Sequence, residues 1–542
     1  MLRCSALAPD GSPVEGFAFD GTTVTYEGRD PMDAGIRISL ELAQTDDPQW
    51  LIPGVFYGEN RSASCTRIYP RFTPGRVDVD RMESNAWSFR ADRCATPAVF
   101  ARAGGLVTSE LSPLGQAGVG FAYSDRIPTI WLDFPYREEP LRYDGSETPR
   151  PPDVRTYRWT PGETVTLEIE RNDGDWRNVL RAPPLEPPAR ASVEEAAALA
   201  AYGLHRWHYK ADPARLIETR SFDRREERDH MHVSWVSGVP YAYALRRHGQ
   251  RIGNDEYIAA AEAVLDHVAS NLAPAGIFWP QWTAERGWTW GWHPDHSRAH
   301  ARTLADAALF LLRAGGRWEE AARSNLAVAL RSQRDDGALA SALHLETGAP
   351  LSWEGTAGMS WIPALVAAGH LNEARLAGAY YARFETWCGA PEDVDLAPTS
   401  EDGYAAVMAF VALEDWETAR RAADWSLTFR YSYNVDFAPG TTLGKAGFRS
   451  RGADTASPAN QHLHAFGLIC LPEMLVLGEP YASSALQHLR CYMQPVGAPR
   501  GMVAERLFQT DCFGAKGELD PLSHSWSIGV LLHACEEILA LS

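Results

Sequence analysis

The sequence predicts a multidomain protein in which an N-terminal antiparallel β-sandwich is followed by an all-α (α/α)6 barrel. Three observations indicate this. Short runs of alternating hydrophobicity fill the first 188 residues, a proline-dense stretch closes them, and apolar helical runs then alternate with amphipathic ones. A change of hydrophobic period from 2 to about 3.6 residues marks a change from strands to helices.

The first domain, residues 1–188, is predicted from its period-2 alternation. Apolar and polar residues alternate in the runs 35–42, 118–123, 129–134 and 163–170, and Gly, Pro, Asn and Asp separate such runs. This pattern is typical of half-buried strands joined by turns. Because no segment of this region has a helical period of any length, we expect a large antiparallel sandwich.

A stiff linker is predicted between the two domains. Residues 182–190 are Ala-Pro-Pro-Leu-Glu-Pro-Pro-Ala-Arg. Proline fixes φ and removes a backbone donor, so such a stretch is extended and belongs to neither a helix nor a sheet. The domain boundary is therefore placed here, and residues 189–542 form the second domain.

Twelve helical runs are predicted in the second domain. Six are apolar on most sides and begin near Met231, Ser297, Thr356, Thr399, Pro458 and Pro521. Six others have a charged face and begin near Val193, Asp255, Trp318, Leu371, Trp416 and Tyr481. A helix that is apolar all round is buried and one with a charged face is peripheral, so the alternation predicts one ring inside another.

The connections indicate which end of the barrel is functional. Tight turns lead from each buried helix to the next peripheral one, whereas long segments lead on to the next buried helix. The long segments are residues 209–230, 272–296, 334–355, 388–398, 432–457 and 493–520. Long loops in compact domains are usually functional. The end that bears them, around the N-termini of the inner helices, is the predicted active face.

Composition restricts the partners and the location. A net charge of −19 argues against a nucleic-acid partner, whose phosphates the protein would repel. No segment has about 18 uninterrupted apolar residues, so no membrane span is expected. The first residues lack the apolar run of a signal peptide, and we expect a cytoplasmic protein. The oligomeric state is left open.

The candidate catalytic acids lie just before an apolar run, residues 404–413, that is predicted to be a buried helix. Five carboxylates cluster there, among them Asp395, Glu401 and Asp402. Like charges and burial raise the pKa of some members of such a cluster, as an acid catalyst requires. We select Glu401, supported by Asp402 and Asp395, with Glu354 before the preceding inner helix as its partner. The alternative is structural, because Thr399 and Asp402 have the form of a capping box.

A tryptophan-rich loop is the candidate sugar platform. Five tryptophans fall within the fifteen residues 278–292, too many for all of them to be core. Indole rings are large and amphipathic, and their exposed faces stack on the apolar faces of sugar rings. We expect at least two indoles to line the pocket and assign substrate binding to Trp279, Trp282, Trp290 and Trp292. The alternative is that these rings wedge the barrel against the sandwich.

Other long loops carry further candidate substrate-binding residues. Arginine grips carboxylates through two hydrogen bonds, so the basic first loop suggests a uronic acid or another anionic sugar. The candidates are Arg228 and His230 of the first loop, His296 of the second, and Gln461, His462 and His464 of the fifth.

A metal site is the alternative for one of these histidines. His296 and His300 are four residues apart and would share a helix face, as metal ligands can. No glutamate of the zincin pattern lies between them and no third ligand is evident. We prefer hydrogen bonding to substrate or loop, and expect neither a metal nor a cofactor.

With these features the chain resembles the six-hairpin glycosidase superfamily. The resemblance covers the whole chain in architecture and at motif level rests on Trp353-Glu-Gly355, Pro398-Thr-Ser-Glu-Asp-Gly403 and Asn460-Gln-His-Leu-His464. It implies carbohydrate chemistry more firmly than hydrolysis, because polysaccharide lyases also use this barrel. It further implies that inversion of the anomeric centre is the default.

The expected function is glycoside hydrolysis by the barrel domain. One carboxyl group would act as acid and another as base, on an oligo- or polysaccharide that contains uronic acid. The first alternative is a polysaccharide lyase, with His230, His232, His462, His464 or Tyr404 as its base. The second is a carbohydrate-binding protein without turnover, against which the acids of the active face argue. The sugar, the linkage and exo or endo action are left open.

Overall fold

The computed structural model of the chain describes residues 1–57, 86–138, 152–180, 191–392, 397–458, 460–494, 496 and 498–541. The predicted domain boundary and the whole of the proline-dense linker fall in residues 181–190, outside the described residues. Asp395, one of the predicted supporting acids, also lies outside them.

The N-terminal part of the chain consists of short strands. They are β1 (Leu2–Leu7), β2 (Pro13–Val14), β3 (Phe17–Phe19), β4 (Thr23–Tyr26), β5 (Met32–Glu41), β6 (Leu51–Ile52), β7 (Phe56–Tyr57), β8 (Ala86–Arg90), β9 (Ala98–Ala101), β10 (Gly104–Val107), β11 (Leu111–Ser112), β12 (Gly115–Gln116), β13 (Gly118–Ser124), β14 (Ile127–Phe134), β15 (Arg137–Glu138), β16 (Asp153–Val154), β17 (Tyr157–Trp159), β18 (Thr164–Thr166) and β19 (Glu170–Asn172).

These strands form antiparallel sheets. The largest has the order β2–β1–β5–β14–β13–β8, with β17 also paired to β5, and another has the order β19–β10–β9–β6–β7. Strands β13 and β14 of the first contact β9 of the second. Side chains from both sheets, such as Ile38, Phe121 and Leu106, share one buried apolar core. Along β5, Ile36, Ile38 and Leu40 are buried at every second position, as the alternation predicts.

The rest of the chain is mainly helical. The helices are α1 (Arg177–Leu180), α2 (Val193–Gly203), α3 (Val239–Ile252), α4 (Asp255–Ala269), α5 (Ala301–Ala314), α6 (Glu319–Arg331), α7 (Trp361–Ala367), α8 (Leu371–Ala382), α9 (Ser400–Ala412), α10 (Trp416–Leu427), α11 (Thr442–Ala446), α12 (Leu471–Val476), α13 (Tyr481–Tyr492) and α14 (Ser525–Leu539).

Twelve of these helices form a double ring. Helices α3, α5, α7, α9, α12 and α14 contact one another in that order, and α14 returns to α3. Each also packs against one peripheral helix, in turn α4, α6, α8, α10, α13 and α2. The inner and outer helices alternate along the chain as their apolar and charged faces predict, and α9, which follows Thr399, lies in the inner ring.

Among the inner helices, α3 and α12 begin furthest from their predicted positions. Met231 lies in a strand and α3 begins only at Val239, while a strand and a 3-10 helix separate Pro458 from α12. Backbone groups in both segments bond to neighbouring loops instead of to their own helix. Tertiary pairing therefore overrides the local apolar pattern at these two places.

The remaining strands lie in the long loops and in the segments that lead from these loops into the inner helices. They are β20 (Tyr209–Ala211), β21 (Ala214–Leu216), β22 (Thr219–Ser221), β23 (Glu227–Arg228), β24 (His230–His232), β25 (Gln281–Thr283), β26 (Gly287–Thr289), β27 (Arg298–His300), β28 (Ala342–His344), β29 (Pro350–Ser352), β30 (Asp454–Thr455), β31 (Leu463–His464) and β32 (Leu522–His524).

These strands join neighbouring loops. Strand β22 of the first loop pairs with β32, which follows the sixth loop; β24 pairs with β25 of the second, and β27 pairs with β28 of the third. The loops are thus hydrogen-bonded to one another around the N-terminal ends of the inner helices. Within the described ranges, no helix combines the length and the apolar character needed to span a membrane.

Buried histidines make the folded state sensitive to acid. Burial lowers the pKa of His208, His232, His300 and His533 to about 3, and that of His488 to about 4. A histidine in an unfolded chain has a pKa of about 6.5. Below that pH the unfolded chain therefore binds protons that the folded chain does not.

We expect the free energy of unfolding to fall as the pH drops from 6.5 towards 4. Each of these histidines contributes about 1.4 kcal/mol per pH unit over this window, because its folded pKa is depressed. Urea denaturation at a series of pH values measures the slope. His533→Leu, at a position only 1% exposed, removes one titrating group and is expected to flatten the slope. Parallel curves for the variant and the wild type would contradict this origin.

Candidate active site

A small cavity of about 70 Å³ lies at the start of α9, at the end of the barrel that bears the long loops. Two carboxylates line it, Glu401 from the first turn of α9 and Glu505 from the sixth loop. The rest of its wall is aromatic and polar, with Trp235, Phe466, Trp526, Asn460, His462 and His464 as its principal side chains.

Glu401 is held by a buried arginine. Its Oε2 accepts a hydrogen bond from Nη1 of Arg302 on α5, whose side chain is only 4% exposed. The same guanidinium donates from Nε to Asp306 at 3.4 Å and lies 4.6 Å from the ring centre of Trp235 and 4.8 Å from that of Phe466. Arg302 is therefore fixed by charge and by ring contacts, and it fixes the Glu401 carboxylate in turn.

The two histidines of this cavity are neutral. Burial lowers the pKa of both His462 and His464. Nδ1 of His462 donates to the amide oxygen of Asn460 at 2.9 Å, which leaves its Nε2 as an acceptor. Nε2 of His464 shares a hydrogen bond of 3.0 Å with the hydroxyl of Ser400. Neutral imidazoles of this kind can bind hydroxyl groups or accept a proton.

Asp402 caps α9. Its Oδ2 accepts from the backbone N–H and the hydroxyl of Thr399 at 3.1 and 2.7 Å, and its Oδ1 accepts from the backbone N–H of Ala390 at 2.8 Å. The side chain is fully buried, and burial raises its pKa to about 7 against these hydrogen bonds. Because both oxygens bond within the protein, the structure gives Asp402 the capping role that the sequence left as an alternative.

Glu354 lines a different and larger cavity. This cavity has a volume of about 590 Å³, and Trp292, Arg298, His300, Ser341 and Glu392 are also in its wall. The structure therefore does not bring Glu354 to the cavity that Glu401 lines. An aromatic contact connects the two cavities.

That contact is made by Trp292. Its ring stacks on His232 with centroids 5.0 Å apart and meets the ring of Trp235 edge-on at 5.8 Å. Since Trp235 lines the small cavity and Trp292 the large one, this ring contact joins the walls of the two cavities.

The other predicted platform residues pack against the barrel. Trp279, Trp282 and Trp290 are half-buried against its core. The ring of Trp282 lies 4.5 Å from the guanidinium carbon of Arg215. Trp290 stacks on His296 at a centroid distance of 4.1 Å. For these rings the geometry is that of the packing alternative, although their partners belong to the barrel itself.

Three more predicted binding residues are engaged elsewhere. Arg228 pairs with Glu218 at 2.7 Å, and His230 lies in the strand pair β24–β25. Gln461 is fully buried, and its Oε1 accepts a hydrogen bond of 3.4 Å from Arg93, which lies in a 3-10 helix between β8 and β9. None of these three lines either cavity.

Sequence reasoning did not select several residues that the structure brings together. Glu505 could be recognised as an acid on a long loop. The cluster of five acids near Glu401 was the stronger indication of catalytic residues, so Glu505 was not selected. Trp235 and Trp526 lie in or beside apolar runs, where an aromatic residue indicates core. The sequence did give an indication of Arg302, because a charged residue inside a buried helix needs a partner.

Among the described residues, no group of three His, Cys, Asp or Glu side chains is placed to hold a metal ion.

Among known proteins, the chain is similar only to solved structures, and this similarity is in fold. No family model and no curated protein matches the chain. A polysaccharide lyase is 10% identical, with 98% of this chain and 91% of that chain covered and a TM-score of 0.48. A D-mannose isomerase is 13% identical, covering 65% and 97%, with a TM-score of 0.46. A GH76 α-mannanase of Bacteroides thetaiotaomicron is 11% identical, covering 65% and 97%, with a TM-score of 0.44. Identities this low do not indicate which reaction the chain catalyses.

Proposed function

We propose that the chain is a carbohydrate-active enzyme that hydrolyses a glycosidic bond with Glu401 and Glu505 as its acid/base pair. The observation that carries the proposal is that both carboxylates line one cavity whose wall includes the rings of Trp235 and Trp526. Two carboxyl groups that flank a sugar are the minimal requirement for glycoside hydrolysis. Aromatic rings supply the apolar surface on which a sugar ring stacks.

The surroundings of the two acids support different roles. Glu401 is assigned as the base that activates water, because Arg302 fixes the direction of its carboxylate. Glu505, whose side chain is 19% exposed and whose Oε1 accepts a hydrogen bond of 3.3 Å from Arg506, is assigned the remaining role, that of the acid that protonates the leaving group. Glu505 thus replaces Glu354 as the proposed partner of Glu401, since Glu354 lines the other cavity.

The proposal keeps the division of the chain that the sequence predicts. Residues 1–188 would form a β-sandwich domain and residues 189–542 the catalytic barrel, as in the six-hairpin glycosidases. Asp395 remains a proposed supporting acid. A uronic-acid substrate is not part of the proposal, because no lysine or arginine is found among the described residues that line the small cavity.

A polysaccharide lyase is the second candidate, favoured by His462 and His464. Both imidazoles are buried and neutral in the same cavity, so either could abstract a proton next to a uronate carboxylate. A lyase must also neutralise that carboxylate. Two guanidinium groups pair with acids of this cavity, Arg302 with Glu401 and Arg506 with Glu505, so both are already engaged, which favours hydrolysis.

A panel of neutral and uronate-containing oligosaccharides tests the proposal. Reducing ends and the ultraviolet absorbance of a new C=C bond are followed together. We expect reducing ends alone to increase. An increase of both would establish the lyase, and binding without either product would establish a protein without turnover.

The indole at the junction of the two cavities can be tested separately. Trp292 is 36% exposed at a cavity wall, so Trp292→Ala is expected to weaken sugar binding about tenfold, or about 1.4 kcal/mol, with little change in melting temperature. Trp282→Ala is the matched control, because that ring packs against the barrel core. It is expected to cost about 2–3 kcal/mol of stability and leave binding unchanged. The reverse pattern would restore Trp282 as the platform.

A further inference from the structure

The wall of the larger cavity contains buried polar atoms without partners. Nδ1 of His300 and Oγ of Ser341, on side chains that are each 4% exposed, have no hydrogen-bond partner among the described residues. Nε2 of His300 donates to the carbonyl of Gly389 at 3.1 Å, so its Nδ1 is an acceptor. Nε of Arg298 is likewise buried without a partner. Buried polar groups are nearly always hydrogen-bonded, so three in one wall indicate that a polar ligand completes them.

Strand pairing places these three groups together. Arg298 and His300 are two positions apart on β27, so both side chains lie on one face of the strand. His300 is opposite Ala342 of β28, and the backbone N–H of Ala301 donates to the carbonyl of Ser341 at 2.9 Å. The groups thus come from two loops, and backbone hydrogen bonds hold their relative positions.

The charges of the wall indicate the class of ligand. Two carboxylates, Glu354 and Glu392, are present with one guanidinium, Arg298. His300 adds no charge, because burial lowers its pKa to about 3. Charged groups of both signs therefore line the cavity, and hydroxyl groups can donate to the carboxylates and accept from the guanidinium. Trp292 adds an exposed ring face to the same wall.

We propose that the larger cavity is a second sugar subsite, which binds a neutral sugar ring stacked on Trp292 with its hydroxyls bonded to His300, Ser341 and Arg298. Its volume of about 590 Å³ lies within the range of small-molecule sites. Because Trp292 meets Trp235 of the small cavity, the substrate spans at least two sugar units, one in each cavity. This last step rests on the proposed function, whereas binding of the neutral ring does not.

The test uses Ser341→Ala in the full-length chain. The hydroxyl has no partner in the free protein, so its removal is expected to leave the melting temperature unchanged or higher. It is expected to weaken binding of a neutral sugar about 3- to 10-fold. Isothermal titration measures binding of the methyl glycosides of glucose, mannose and galactose. The methyl glycosides of glucuronic acid and glucosamine serve as charged probes.

Ser360→Ala is the matched control. The hydroxyl of Ser360 is also buried without a partner among the described residues, at 6% exposure, but Ser360 does not line the cavity. The affinity of this variant for the neutral glycosides should therefore equal that of the wild type. Equal affinity of Ser341→Ala and Ser360→Ala would overturn the subsite. So would the absence of binding by every neutral glycoside, or tighter binding of the glucuronide than of the neutral sugars.

Failure of the subsite and failure of the proposed function are distinguishable. Neutral glycosides that bind in a Ser341-dependent way, with no hydrolysis of any oligosaccharide, support the subsite and contradict only the hydrolase. Hydrolysis by the wild type with unchanged affinity in Ser341→Ala contradicts only the subsite.

Discussion

Glu401→Gln is expected to lower turnover by about 10²–10⁴-fold while the protein still folds, because general acid–base catalysis contributes about that factor. Glutamine keeps the shape of the side chain, and its oxygen can still accept from Arg302. It cannot titrate and so cannot activate water. Arg302 retains Asp306 as a charged partner, so the substitution leaves no isolated buried charge. Steady-state kinetics on the substrate found in the oligosaccharide panel, with circular dichroism for folding, measure both effects.

Three further substitutions distinguish a catalytic role of Glu401 from a binding or a capping role. Glu505→Gln is expected to lower turnover by a similar factor. Glu354→Gln, in the other cavity, is expected to change the affinity for substrate more than the turnover. Asp402→Asn is expected to cost about 1 kcal/mol of stability, because a capping acid acts on the helix and does not contact substrate. Near-normal turnover of both Glu401→Gln and Glu505→Gln would exclude this pair and direct attention to His462 and His464.

Arg302→Met is expected to cost about 3–5 kcal/mol of stability. Methionine keeps the length and the apolar stem, but the change leaves Glu401 and Asp306 without their cation in a buried site. Burial already raises the pKa of Asp306 to about 6 in the presence of Arg302. Without the cation the buried carboxyl group of Asp306 favours protonation still more, so the loss is expected to shrink as the pH is lowered towards 5. The difference between the urea denaturation curves of the variant and the wild type measures it.

Arg317→Met is the control for Arg302→Met. Arg317 also pairs with two acids, Asp266 and Glu262, but its side chain is 57% exposed. Solvent screens such a pair, so the same substitution is expected to cost less than about 1 kcal/mol. Equal losses for the two variants would show that burial of Arg302 does not decide the energy. Arg302→Lys, which restores the charge but not the planar fork, is expected to recover part of the loss.

The order of the barrel helices could be predicted from the sequence because burial on all sides is a local property. The apolar run from Thr399 needs no knowledge of its neighbours to indicate an inner helix, and α9 is one. Capping is local too, since Thr399 and Asp402 are three residues apart and bond to each other. Asp402 could therefore be given a capping alternative from sequence alone. Where α3 begins could not be predicted, because its preceding segment pairs with a distant strand.

The composition of the site was decided by tertiary structure alone. Glu401 and Glu505 share a cavity, and Glu401 and Glu354 do not, because the closure of the inner ring determines which loops meet. Tryptophan density likewise indicated a platform without indicating which ring faces a cavity. Sequence by itself determined the helical ring and the end of it that bears the long loops. The hydrophobic period and the loop length are local properties, which can be read from each segment without knowledge of its neighbours. Only the folded chain decided which acids, rings and unpartnered groups face one another, because those contacts depend on strand pairing between loops far apart in sequence.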